Sequence, residues 1–332
     1  MPPKATLLKS KNVRLKRKIQ MPEEKFRDYW VSRRPFVIGE LDDELQVQWS
    51  PQYFIDHFGA ENCDIEDCQT GETLDSTVAE FFAQFGRSRD VDSKIVKLKD
   101  WPPTADFKDK FPQLFKDFEH AIPLPQYTTS EGAMNLAAHF PLNSIAPDLG
   151  PKMYNVLASS FDDMHSGSTR LHLDLSDTVN LMTYATRTKD GRPGSARWHI
   201  FEVEDKPKLR EYLKTKHGDR SGDPIHNQDY YLTPAMLTEL KDQYGVRPWE
   251  IIQKVGHAVF IPAGCAHQVL NETDCMKVAC DFIAPESIPL CKELWEEFRS
   301  QRLVRAWPRD VIPFFHMLYY TWLSATSIPS TE

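Results

Sequence analysis

The stretch "TRLHLDLSDTVNLMTYA", residues 169–185, alternates polar and apolar side chains almost without a break. That is the period of a half-buried β-strand. One face of such a strand carries His172, Asp174, Ser176, Thr178 and Asn180. A sandwich strand usually turns such a row to water, so a histidine and a carboxylate two residues apart raise the question of their purpose. From residue 152 onward the same kind of pattern recurs in "KMYNVLAS", "ARWHIFEV", "WEIIQKV", "HAVFIPAG", "HQVLNE" and "MKVACDFIA". Two helical patches interrupt these strands, "DKPKLREYLKTKHG" and "TPAMLTELKDQYG". The second has Thr233 as cap, Pro234 at its first position and Gly245 at its end. Many short strands divided by turn residues predict a mainly β fold, a sandwich or barrel with surrounding α-helices.

Upstream, "PEEKFRDYWVSRR" spaces Phe26, Tyr29 and Trp30 as a helix does, and Pro35 ends it before an extended "PFVIGE". "SPQYFIDHFG" predicts a short helix capped by Ser50, with Pro51 in the first turn and Gly59 at the stop; "DSTVAEFFAQFG" repeats that design. Prolines punctuate residues 101–151, but apolar and aromatic residues run all through them, which predicts a wrapping segment. From "PESIPLCKELWEEFRSQRL" the chain is helical again. The expected organisation is a basic, disordered tail (1–20), a helical and extended region packed on the core (21–151), a strand core (152–290) with a helical insert at about 205–245, and C-terminal helices (291–332).

Composition adds limits. At 332 residues with 41% hydrophobic content the chain can bury a substantial core. The longest apolar run, "VIPFFHMLYYTWLSA", holds Pro313 and His316 and falls short of a membrane span, so a packed terminal helix and no membrane partner are expected. No secretory signal opens the chain, which makes the cell interior the expected setting and the six cysteines reduced thiols. Net charge is −8, yet residues 1–20 hold seven basic residues and no acid. That tail reads either as a contact for DNA or an import receptor, or as a solvated terminus.

A histidine and an acid one residue apart on a strand project to the same side, with Cβ atoms roughly 6.5–7 Å apart, and can share one ion. The third donor is expected from His267, where "IPAGCAHQV" takes an apolar strand through a turn into the next strand. Two neutral imidazoles and a carboxylate form the facial triad of non-haem Fe(II) oxygenases. A catalytic zinc site could use the same set, and a lone His-x-Asp is often only a surface pair or a bonded core group.

The ordered segments "KLKDWPPTADF", "IPLPQYTTSEG", "MNLAAHFPLNSIAPDLGPKMYNVLASS", "TRLHLDLSDTVNLM", "DPIHNQDYYL", "YGVRPWEIIQKVGHAVFIPAGCAHQV" and "CMKVACDFIAPESI" closely resemble the JmjC catalytic region of family-3 histone lysine demethylases, the hairless-type group. The resemblance covers roughly residues 21–303. It implies a double-stranded β-helix (jelly-roll, cupin-like) core that uses Fe(II), 2-oxoglutarate and O2. The implied substrate is mono- or dimethylated lysine 9 on the histone H3 tail, and the implied location is the nucleus, with the cytoplasm left open. Residue by residue it puts the metal on His172, Asp174 and His267, and a hydroxyl for the cosubstrate's distal carboxylate on Thr169. Many JmjC proteins place a lysine two residues before the tryptophan of "ARWHIF", where this chain has Ala196. Lys277, shared with family 3, is the implied replacement, and Asn180 and Trp198 resemble pocket-lining positions.

The implied reaction decarboxylates 2-oxoglutarate to succinate and CO2 and hydroxylates an N-methyl carbon, which leaves as formaldehyde. Asp162, Asp163 and Asp177 are expected near the mouth, either attracting a cationic tail or simply solvated. Family members in animals carry an upstream cysteine-rich zinc finger, and this chain begins almost at the catalytic region. The pairs Cys63/Cys68 and Cys275/Cys280 share one spacing, which suggests a structural zinc or, for Cys280, a buried small residue. The rival functions are a JmjC hydroxylase with a non-histone target, a weakly active chromatin corepressor and a non-oxidative cupin.

Overall fold

Eight strands between residues 152 and 282 build the centre of the molecule: β1 (Lys152–Val156), β2 (Thr169–His172), β3 (Asp177–Ala185), β4 (Ala196–Ile200), β5 (Trp249–Gln253), β6 (Ala258–Ile261), β7 (His267–Asn271) and β8 (Cys275–Phe282). They divide between two antiparallel four-strand sets, β6-β3-β8-β1 and β5-β4-β7-β2. This is the strand order of a jelly roll, the cupin-like fold the sequence predicts. The computed structural model describes residues 11–12, 15–17, 21–88, 93–101, 106–141, 144, 147, 149–159, 169–218, 221–301 and 312–327.

Alternation along the strands sets three apolar layers. Met182, Val259 and Ile261 of the first sheet meet Trp198, Ile200, Ile251 and Val269 of the second, forming the core between the sheets. On the outer face of the first sheet, Val179, Leu181, Phe260 and Phe282 pack against an aromatic layer from the N-terminal region. Phe36 stacks on Phe260 with ring centroids 4.6 Å apart, and Trp30 stacks on Phe282 at 5.6 Å. On the outer face of the second sheet, Leu171, Leu173 and Phe201 pack on the insert helices Lys206–His217 and Pro234–Tyr244. The first sheet also continues past β1 into the strands 96–101, 62–67 and 73–77.

Local signals explain several helix ends. Ser50 caps Pro51–Phe58 by accepting from the Tyr53 N–H, and Thr233 caps Pro234–Tyr244, which Gly245 ends at φ 69°. "DSTVAEFFAQFG" differs from its reading: Thr73–Thr77 is a strand, and Thr77 caps a five-residue helix, Val78–Phe82, through a capping box with Glu80. The C-terminal helix Phe314–Ser327 buries Phe314 and Met317 but leaves Phe315, Tyr319 and Trp322 exposed, so it is packed on one side only. Among the described residues no helix is long and apolar enough to cross a membrane. All six cysteines are free and buried.

The largest correction concerns residues 169–185, which are not one strand. β2 ends at His172, the chain crosses through residues 173–176, and β3 begins at Asp177 in the other sheet. The crossing keeps alternating side chains, and a period of two carries no mark of a change of sheet. Nor is the polar row turned to water. Thr178 and Asn180 are buried, because β3 is an interior strand covered on both faces.

Candidate metal centre and cosubstrate cavity

Two crossings between the sheets meet at one end of the sandwich. One leaves β2 at His172; the other leaves β6 at Ile261 and returns through residues 262–266 to His267, which starts β7. Gly264 takes φ 76° in that second crossing, a left-handed conformation that suits glycine. β7 and β2 pair with His267 opposite His172, and the register shifts before the Val269–Thr169 pair. Such a bulge re-aims the side chains beside it. The two imidazole centroids lie 4.1 Å apart.

Asp174 sits just past the strand, inside the crossing, and so reaches both rings. Its Oδ1 is 3.7 Å from Nε2 of His172, and its Oδ2 is 3.5 Å from Nε2 of His267. One ligand atom from each residue lies within 4.8 Å of the others, the only such group of histidine, cysteine and acid among the described residues. His172 Nδ1 is 2.8 Å from the Arg170 carbonyl, and His267 Nδ1 is 3.0 Å from the Cys265 carbonyl. A carbonyl only accepts, so each Nδ1 carries a proton, which leaves Nε2, on the Asp174 side, as the atom of each ring that can ligate. Burial, then the neighbouring His172, pushes His267 down to about 4, which keeps the ring neutral and able to ligate. Two imidazole lone pairs and one carboxylate fit Fe(II) with open positions, and they also fit zinc.

Trp198 connects this cluster to the next one. Its ring stacks on His267 with centroids 5.9 Å apart, and Lys277 Nζ lies 5.4 Å from the same ring's centroid. Lys277 is only 4% exposed; burial lowers its pKa, and its Nζ donates to Oδ1 of Asn271 at 2.5 Å. Trp198 Nε1 donates to Gln253 Oε1 at 2.9 Å, while Gln253 Nε2 donates to the Asn180 carbonyl at 2.8 Å. Asn180 therefore braces Trp198 through Gln253. A cavity of about 240 Å³ opens beside the cluster, lined by Tyr154, Thr169, His172 and Asp174, with the Glu66–Lys97 ion pair also on its wall. Tyr154 stands directly across the β1–β8 ladder from Lys277.

The profile of the JmjC domain, hydroxylase, matches residues 164–282, which contain all three cluster residues. The chain is 35% identical over 349 aligned positions to lysine-specific demethylase 3A of Rattus norvegicus, an alignment covering 91% of this chain and 29% of that protein. Residues 164–282 form a JmjC domain. Lysine-specific demethylase 3 of Drosophila melanogaster is 36% identical, with 89% of this chain and 40% of that protein covered. A lysine-specific demethylase of Arabidopsis thaliana is 31% identical over 83% of this chain and 40% of its own length. The JmjC chain thus spans well under half of these relatives.

The JmjC core brings His172, Asp174 and His267 to one point, sets Thr169 on the cavity wall, and gathers Trp198, Asn180 and Lys277 behind it. Sequence reading missed Tyr154, Gln253 and Asn271. Alternation from His267 could have found Asn271, four residues along the same face; nothing marks Gln253, whose role depends on contacts across the sandwich. Asp177 is not at the mouth. It is fully buried, with Oδ1 accepting from the Ala263 N–H and the Ser287 hydroxyl and Oδ2 from the Ala284 N–H. Asp162 and Asp163 lie outside the described residues. The four paired cysteines form no metal cluster among the described residues, and Cys280 faces the outer apolar layer.

Proposed function

We propose that the JmjC domain is an Fe(II)- and 2-oxoglutarate-dependent dioxygenase, a histone lysine demethylase that acts in the nucleus on mono- and dimethyl-lysine of the histone H3 tail, lysine 9 above all. The observation that carries this reading is the convergence of His172, Asp174 and His267 at the end of a jelly roll, with a buried lysine behind them. The family profile and relatives named as lysine-specific demethylases support it. Iron bound there with 2-oxoglutarate and O2 would supply the oxidising power that hydroxylates an N-methyl carbon. His172, Asp174 and His267 would hold it from one side and leave the other positions open. Lys277 would pair with the distal carboxylate of 2-oxoglutarate, which is costly to bury without a cation. Thr169 and Tyr154 would offer it hydroxyls, and Trp198, braced by Gln253 and Asn180, would form the wall between the two anchors. The N-hydroxymethyl product then breaks its C–N bond, the hydroxyl proton passes to the amine, and formaldehyde leaves.

The test is mass spectrometry of the iron-loaded protein on methylated H3 peptides with and without 2-oxoglutarate. Loss of methyl groups matched by succinate and formaldehyde supports the reading. The family profile also names hydroxylases, so a second reading is a protein hydroxylase with a non-histone target. That enzyme would add oxygen to its substrate without formaldehyde. Turnover of 2-oxoglutarate indifferent to every peptide would favour a corepressor, and chemistry independent of 2-oxoglutarate would exclude a 2-oxoglutarate-dependent dioxygenase.

A further inference from the structure

We infer that Asn271 is the positioning residue that aims Lys277, so that the strand bearing His267 also sets the length of 2-oxo diacid the site accepts. The inference rests on the 2-oxoglutarate reading above and names what makes that site selective.

On β7, His267, Val269 and Asn271 stand opposite Ile200, Trp198 and Ala196 of β4. Val269, Ile200, Trp198 and Ala196 all belong to the core between the sheets, so this row faces inward. His267 and Asn271 are four residues apart on that row, about 13 Å along an extended strand. One strand thereby holds a metal-site imidazole at one end and the acceptor for the buried ammonium at the other. Lys277 itself comes from the opposite sheet, and its long stem has no fixed aim of its own.

Three features make Asn271 suited to supply that aim. It is 1% exposed, and its Oδ1 accepts from Lys277 Nζ at 2.5 Å and from Cys275 Sγ at 3.0 Å. Burial pushes the Cys275 thiol up to about 11, so it remains an S–H donor and gives the same oxygen a second hold. The amide is neutral, which fixes the ammonium while leaving its full charge for a dianion; a carboxylate there would cancel it. Directly across the ladder from Asn271 is Ala196, the position at which many JmjC proteins carry a lysine. Its small side chain leaves the space that the amine from the facing sheet enters.

The experiment uses the full chain loaded with Mn(II) in oxygen-free buffer, with calorimetric titration of 2-oxoglutarate and of 2-oxoadipate, one carbon longer. Asn271→Asp is expected to weaken 2-oxoglutarate by about tenfold while Mn(II) affinity stays within about twofold. Asn271→Leu, similar in size but without an acceptor, is expected to lower the preference for 2-oxoglutarate over 2-oxoadipate by about fivefold, since the freed ammonium follows the longer acid. Wild-type affinity in Asn271→Asp, unchanged selectivity in Asn271→Leu, or equal losses of Mn(II) and cosubstrate in both variants would each overturn the assignment. If the wild-type protein binds Mn(II) but no 2-oxoglutarate, the underlying site reading falls and takes this inference with it.

Discussion

His172 and His267 are direct cross-strand partners, one closing β2 and the other opening β7, with ring centroids 4.1 Å apart. Their proximity is set by backbone register and not by flexible side chains. Each ring is further locked by its own Nδ1–H bonded to a carbonyl two residues back. The pair is therefore arranged before any ion arrives, and only Asp174, about a third exposed, has freedom to adjust.

Replacing any one of the three donors should remove metal binding and succinate formation together. His172→Ala and Asp174→Ala are expected to reduce succinate production to background, with Mn(II) affinity falling in parallel. Retention of metal-dependent succinate by Asp174→Ala would remove the carboxylate from the ligand set.

Lys277→Ala should act on the cosubstrate and spare the metal. The expected result is a rise of about tenfold or more in the 2-oxoglutarate concentration needed for half-maximal turnover, since a buried carboxylate loses its charged partner. Mn(II) binding should hardly change, because the Trp198 ring stands between Lys277 and His267. An unaltered 2-oxoglutarate requirement would show that the cation lies elsewhere.

Asp177 offers a test of architecture independent of catalysis. It ties the crossing at Ala263 to Ala284 and Ser287 at the start of the C-terminal helices. Asp177→Ala strands three buried donors, each worth roughly 1–3 kcal/mol if left unsatisfied. We expect a loss of about 3 kcal/mol or more in urea unfolding; a loss under about 1 kcal/mol would mean that water replaces the carboxylate.

Glu297 gives the pH prediction. Burial raises its pKa, but bonds from His226 and Arg210, and the nearby Lys206, outweigh burial and bring it to about 2, below its ordinary 4.5. The unfolded chain therefore takes up the proton first. Stability contributed by Glu297 is full above about pH 4.5 and is lost as pH falls toward 2. Urea midpoints of the wild type should drop with acidification through this window, whereas Glu297→Gln should be less stable at neutral pH and flatter below 4.5.

How much of this was legible in the chain depended on distance along it. The caps at Ser50 and Thr233, the C-terminal Gly245 and the pairing of "IPAG" with a strand that opens on His267 are local, and their chemistry acts within a few residues. The row on 169–185 gave the right donors for an incomplete reason: His172 ends its strand, and Asp174 belongs to the crossing beyond it. Asp177 misled because an acid in such a row looks solvated until its three donors, at least 86 residues away in sequence, are in place.

By itself the sequence determined most element types from residue 152 onward, the mainly β architecture and which residue types carried candidate chemistry, because hydrophobic periodicity, capping and turn geometry are short-range effects. Only the tertiary structure decided that residues 169–185 divide between two sheets, that Asn271 holds Lys277 beside Ala196, and that Gln253 braces Trp198. Those relationships arise from strand pairing within the second sheet, which sets Asn271 beside Ala196 and Gln253 beside Trp198, and from the packing of the first sheet on it, which brings in Lys277 and Asn180. No local pattern records which inward-facing side chains will meet once the space between the sheets is filled.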